Sequence, residues 1–156
     1  MKLSTIKDVM TKQVISVSPE TSIIEVQEIL YKHKFDGAPV VDDNGKLIGI
    51  ITEYDLLTKG SAIHLPTFQK ILSQLPIFSK DRSKFEEEIN VISSLKVKDI
   101  MNKEPFVLYE DASFKEVVRA FQEHHRVNPI PVINKEHKVI GIVSRFDVIK
   151  LFSLFK

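Results

Sequence analysis

Hydrophobic and polar positions follow two periods along this chain, and the same succession of periods is written twice. Val14 to Val17 is a short, branched apolar run of strand length. Ser22 with Glu25 three residues on has capping-box spacing, in which hydroxyl and carboxylate satisfy two otherwise orphan backbone N–H groups. Ile23, Val26, Ile29 and Leu30 then recur at helical spacing as a core-facing stripe. A second strand is predicted from about Ala38 to Val41, turn chemistry at Asp42, Asp43, Asn44 and Gly45, and a third strand from Lys46 to Ile51, with Thr52 opening a second helix. The same order returns as Phe106 to Leu108, the Ser113 and Glu116 box, and the stripe Phe114, Val117, Val118 and Phe121. Ile130 to Ile133, a turn through Lys135 to His137, Lys138 to Val143 and a helix from Ser144 complete it.

Individual residues coincide as well as periods. Asp8, Met10 and Lys12 return as Asp99, Met101 and Lys103, and Ser22, Glu25, Val26 and His33 return as Ser113, Glu116, Val117 and His124. After one inserted residue, Pro39, Val40, Lys46, Ile48, Gly49, Ile50 and Asp55 return as Pro131, Val132, Lys138, Ile140, Gly141, Ile142 and Asp147. An offset held this long is an internal repeat. Two units are too few for a solenoid, so two similar lobes packed face to face about a pseudo-twofold axis are expected, with ligand-sized clefts between them. The fold class is α/β, with a β-α-β-β-α order in each lobe and a helical insert between the lobes.

The first lobe is placed at residues 1–59, the insert at 60–97 and the second lobe at 98–156. Lobes of roughly 55 residues would each be marginal alone, so the two halves are expected to fold as one unit. Within the insert, Phe68, Ile71, Leu72 and Leu75 fit one helical stripe and Phe85, Ile89, Ile92 and Leu95 another, with Pro76 and the polar stretch from Ser79 to Ser83 between them. Such a hairpin serves either as a connector over the lobes or as a surface for a partner or a dimer.

Composition removes several classes of function. A hydrophobic content of 43% with 28% charged residues is that of a globular chain, and no apolar run approaches the roughly 20 residues of a membrane span. Met1 to Asp8 has no apolar core of a secretory signal, which makes a cytoplasmic location the default. The start at Met1, a few residues before the repeat, favours a free-standing chain. The absence of cysteine excludes disulfides, thiolate catalysis and cysteine-ligated metals. A net charge of +1 supplies no electrostatic footprint for nucleic acid.

The sharpest shared motif runs Gly49, Ile50, Ile51, Thr52, Glu53, Tyr54, Asp55, matched by Gly141, Ile142, Val143, Ser144, Arg145, Phe146, Asp147. One reading is a capping box and nothing more. The other is a ligand site: glycine lets backbone approach closely, a helix start offers N–H groups to an anion, the hydroxyl can bond phosphate, and the carboxylate can accept from two sugar hydroxyls. Phosphate plus ribose describes a nucleotide.

With these motifs in register twice, the repeat resembles a tandem pair of cystathionine-beta-synthase-type (CBS) domains, the arrangement called a Bateman module. The residues that carry the resemblance are Asp8, Val9, Met10 with Asp99, Ile100, Met101; Gly37, Ala38, Pro39, Val40 with Asn128, Pro129, Ile130, Pro131, Val132; and the two glycine-to-aspartate motifs. The resemblance implies binding of an adenosyl compound in the interlobe clefts. AMP, ADP or ATP leads, with NAD and S-adenosylmethionine as alternatives and magnesium as an optional companion. It further implies that Asp55 and Asp147 take ribose hydroxyls and that Thr52 and Ser144 approach phosphate. Ile15, Ser16, Val17, Gly37, Ala38 and Pro39 would flank base and sugar in the first copy, and Phe106, Val107, Asn128, Pro129, Ile130 and Pro131 in the second. Three departures between the copies, Ser16 against Val107, Gly37 against Asn128 and Glu53 against Arg145, point to two unequal sites. Arg145 stands either beside phosphate or as a solvated helix residue.

Other candidates are weaker. His33 and His124 hold equivalent positions and His125 follows directly, but adjacent helix residues do not share a face, so no metal site is expected. Lys32, Lys34, Arg126 and Lys138 are expected on the surface, with phosphate contact as the alternative, and Met10 and Met101 are expected as core fillers. No Ser, His and acid set, P-loop pattern or metal-ligand spacing marks an enzyme. The leading expectation is a non-enzymatic adenine-nucleotide sensor that regulates a partner protein, with a homodimer implied by the resemblance alone. An interaction or dimerisation module with vestigial clefts is the alternative, and a small enzyme would require observed turnover.

Overall fold

The computed structural model describes residues 5–58 and 94–151. The helical insert expected from residue 60 lies, up to residue 93, outside the described residues. A 3₁₀ turn at Ile6–Asp8 precedes helix α1 (Ile23–His33), strands β1 (Gly37–Val41) and β2 (Leu47–Thr52) and helix α2 (Glu53–Thr58). The second copy follows as α3 (Val97–Ile100), β3 (Leu108–Tyr109), α4 (Phe114–Glu123), β4 (Ile130–Ile133), β5 (Val139–Val143) and α5 (Arg145–Lys150). The architecture is therefore the α/β, two-lobed one that the periodicity predicts.

Local chemistry explains the element ends. Ser22 accepts the Glu25 N–H at 3.2 Å, and Ser113 forms a full capping box with Glu116, whose carboxylate takes the Ser113 N–H at 2.7 Å. The hairpins turn at left-handed residues in equivalent places, Gly45 with φ 76° and His137 with φ 65°. Glycine occupies such a conformation freely, whereas histidine does so against a steric cost.

β1 and β2 pair antiparallel from Gly37 opposite Thr52 to Val41 opposite Leu47, and β4 and β5 pair likewise from Ile130 opposite Val143. The strand expected at Val14 to Val17 is absent apart from Val17, which bridges to Val40, its N–H on the Pro39 carbonyl at 2.9 Å. In the second copy the strand forms at Leu108–Tyr109, parallel to β4, rather than at Phe106. Both stretches leave the sheet early because Val14, Ile15, Pro105 and Phe106 line open clefts instead of a ladder.

The two copies exchange their leading segments. Thr11 bridges to Ile142 while Asn102, its equivalent, bridges to Ile50; the Ile6 N–H bonds the Ala112 carbonyl at 2.8 Å while the Val97 N–H bonds the Thr21 carbonyl at 2.9 Å. The first core, built on Val26, Ala38, Val40 and Ile51, is completed by Val97 and Ile100. The second, on Val117, Ile130, Val132 and Val143, is completed by Ile6. Neither core is contiguous in sequence, so a cut between the halves would strip each core of buried aliphatic side chains, each stabilising by about 1.5–3 kcal/mol. The glycines of the paired motif serve this exchange: a Cβ on Gly49 would stand 2.8 Å from the Met101 sulfur, and one on Gly141 would collide with that of Met10. The pseudo-twofold axis passes between Lys46 and Lys138, equivalent residues that bridge to one another.

Candidate functional site

Two clefts, of about 250 and 230 Å³, lie at the junction of the lobes, and their walls correspond residue by residue through the repeat. The first is lined by Thr11, Val14, Ile15 and the segment His33 to Gly37 from the first copy, and by Ile142, Ser144, Phe146 and Asp147 from the second. The second cleft is lined by Ile50, Thr52, Tyr54 and Asp55 from the first copy and by Asn102, Pro105, Phe106 and the segment Arg126 to Pro129 from the second. Pro129 borders both. Residues grouped by copy in the sequence are thus divided between clefts, each taking its helix start from one copy and its entering segment from the other.

The carboxylates are held by the helix starts. Oδ2 of Asp55 accepts the Thr52 N–H at 3.0 Å and the Thr52 hydroxyl at 2.7 Å, and Thr52 Oγ1 accepts the Asp55 N–H at 3.2 Å. Asp147 repeats the arrangement with Ser144, its Oδ2 taking both the N–H and the hydroxyl at 2.7 Å. The boxes engage Oδ2 and so aim a fixed carboxylate, which has further lone pairs, at each cleft. Oδ1 of Asp147 also receives the Thr11 hydroxyl at 3.4 Å. Asp55 is the more enclosed of the two, at 5% exposure.

Of the other residues singled out in the sequence, Ile15 and Gly37 line the first cleft and Phe106, Asn128 and Pro129 the second. Val17, Ala38, Pro39, Ile130 and Pro131 are buried in the lobes, and Ser16 and Val107 line neither cleft. Arg145 also lines neither: its guanidinium donates to the His125 carbonyl and lies over the Phe121 ring, 5.9 Å from its centroid. Strand register corrects one equivalence. Ala38 opposite Ile51 matches Ile130 opposite Val143, so Gly37 corresponds to Pro129, and Asn128 corresponds to Asp36.

Several lining residues carried no assignment from the sequence. Tyr54 and Phe146 sit inside the paired motif, and their shared aromatic character was the available signal. Lys34 and Arg126, expected on the surface with phosphate contact as the alternative, line the first and the second cleft and bring each a cation. Phe106 also packs on His124, with ring centroids 4.4 Å apart. Glu53, exposed at the head of α2, has its carboxyl raised above the ordinary range by partial desolvation, reinforced by the charges of Asp36 and Asp55. Each cleft therefore combines an apolar or aromatic wall, an aimed carboxylate and a cation, which together match an aromatic base, a sugar diol and an anionic tail. Among the described residues no group of three His, Asp or Glu could hold a metal ion, and no helix is long and apolar enough to cross a membrane.

The CBS domain model matches residues 6–61 and 97–154. The uncharacterized protein MJ1426 of Methanocaldococcus jannaschii is 30% identical over 152 residues, 93% of this chain and 89% of that protein. The crystal structure of CBSX2 in complex with AMP superposes with a TM-score of 0.70 at 27% identity, covering 97% of each chain. The chain spans only 56% of the full chloroplastic CBSX2 of Arabidopsis thaliana. The CBS domain pair of protein MJ0100, in complex with 5′-methylthioadenosine and S-adenosyl-L-methionine, superposes at 0.70 with 26% identity, over 99% of this chain and 100% of that one.

Proposed function

Because the chain belongs to the CBS-domain family, we propose that it is a non-catalytic regulatory module whose two interlobe clefts bind adenine nucleotides, AMP, ADP or ATP, and control a partner protein. The observation that carries this reading is the pairing, twice over, of a capped carboxylate with an aromatic or apolar wall and a cation. The relatives solved with AMP and with S-adenosyl-L-methionine support an adenosyl ligand.

In this reading Asp147 and Asp55 accept the ribose hydroxyls. Thr52 and Ser144 aim these carboxylates, since their hydroxyls are already committed to them. Lys34 and Arg126 meet phosphate, and Ile15 with Phe146, or Phe106 with Tyr54, encloses the base. The output passes to another protein, or through a homodimer, in the cytoplasm. Leu57 on α2 and Ile149 on α5, exposed and apolar at equivalent positions, support an assembly through these helices.

Thermal denaturation in the presence of AMP, ADP, ATP, NAD and S-adenosylmethionine tests the ligand class, because whatever binds only the native state raises the melting temperature with concentration. A rise with adenine nucleotides and none with guanine nucleotides is expected. No rise with any adenosyl compound would refute the reading.

A further inference from the structure

Resting on that reading, we propose that Asp36 and Asn128 are positioning residues that couple the two clefts, so that a ligand in one changes the helix start that aims the carboxylate in the other. The two residues hold equivalent places in the repeat and meet at its axis: Nδ2 of Asn128 donates to Oδ2 of Asp36 at 2.6 Å. Asp36 lines the first cleft and Asn128 the second.

Each also grips the helix that serves the opposite cleft. The Asp36 carbonyl accepts the N–H of Glu53, at 3.0 Å, the first residue of α2. Thr52, Tyr54 and Asp55, around that helix start, line the second cleft. Asn128 Oδ1 accepts the N–H of Arg145, also at 3.0 Å, the first residue of α5, whose neighbours Ser144, Phe146 and Asp147 line the first cleft. An unbroken chain of bonds therefore runs from α2 through Asp36 and Asn128 to α5. Its central link is charge-assisted and short, at 2.6 Å, the stronger class of hydrogen bond. A ligand that shifts Asn128 in the second cleft must move either the Arg145 N–H or the Asp36 carboxylate. The same linkage holds in reverse, since coupling between binding sites is reciprocal.

The test follows backbone amide signals by NMR during an AMP titration of the full chain carrying Val14→Trp, which fills the first cleft and leaves the second open. Signals of Tyr54 and Asn102 report occupancy of the second cleft, and those of Arg145 and Asp147 report the helix start at the first. The expected result is that all four respond at the same AMP concentrations. Adding Asn128→Ala, which removes both the link to Asp36 and the grip on the Arg145 N–H, should abolish most of the response at Arg145 and Asp147 at AMP concentrations that saturate the signals of Tyr54 and Asn102. Adding instead Asp36→Asn together with Asn128→Asp, which reverses the polarity of the bond, should restore it. Response at Tyr54 and Asn102 alone would overturn the coupling while leaving nucleotide binding intact. An undiminished response in Asn128→Ala would show that the pair is not its route. Silence of all amides here and in the chain without substitutions would overturn the ligand reading itself.

Discussion

Thr11 and Asp147, from opposite ends of the chain, meet in the first cleft: the Thr11 hydroxyl donates to Oδ1 of Asp147 at 3.4 Å, while Oδ2 is held by Ser144. The exchanged leading segment thus reaches the carboxylate that faces the ligand. A bond this long is weak. Thr11→Val is expected to leave stability within about 0.5 kcal/mol of the parent, the ordinary range for surface changes, as read from urea denaturation.

Truncating the carboxylate itself is expected to act on the ligand. Asp147→Ala should weaken nucleotide binding at the first cleft by about tenfold or more, since a hydrogen bond to a charged group contributes about 1.5–3 kcal/mol. Asp55→Ala should do the same at the second cleft. Competition titrations on each variant check this, with circular dichroism to confirm the fold.

The capping hydroxyls separate stability from binding. Thr52→Ala and Ser144→Ala each remove a side chain that accepts an N–H and orients a carboxylate. A loss of about 1 kcal/mol is expected for each in urea denaturation, the usual cost of an N-cap hydroxyl. A smaller drop in affinity than the corresponding aspartate variant shows is expected to accompany it.

Exchange of the leading segments predicts long-range destabilisation. Ile6 is fully buried in the second core and Val97 in the first. Ile6→Ala should cost about 2–5 kcal/mol, as for other buried aliphatic truncations. Hydrogen exchange should then rise around β4 and β5, far along the sequence from the substitution, and Val97→Ala should do likewise around β1 and β2.

Glu53 supplies a pH dependence. Its carboxyl is raised in the folded state, chiefly by partial desolvation and also by Asp36 and Asp55, so the folded protein holds this proton more tightly than the unfolded chain. The site therefore contributes no penalty below the ordinary glutamate range, near about 4. Stability is lost as pH rises through the folded value, and the penalty is complete above it. Glu53→Gln is expected to stabilise the protein near neutrality and to make little difference in acid, as measured by urea midpoints across that range.

Apart from the leading strand of the first copy, both lobes and the order of their elements were legible because helix and strand periods survive in each copy. The Ser22, Ser113, Thr52 and Ser144 caps were legible for the same local reason. The exchange of segments was not. Met10 fits Gly49 as well as Gly141 by sequence, because the two motifs are copies, and only the three-dimensional packing decides between them. That hidden choice also obscured the make-up of the clefts, in which Ile15 belongs with Asp147 and Phe106 with Asp55. The inserted residue hides one further equivalence: it falls before Asn128, so that Gly37, set against Asn128 by sequence, corresponds by strand register to Pro129. Burial of Ala38, Pro39, Ile130 and Pro131 is likewise a product of packing that a motif cannot report.

Calorimetric titration of AMP into the intact chain, beside Asp55→Ala and Asp147→Ala, tests the central claim most directly. Saturable binding is predicted for the parent, with each variant losing the binding of its own cleft. A folded parent that gives no heat with AMP at any practical concentration, or variants that bind as the parent does, would contradict it.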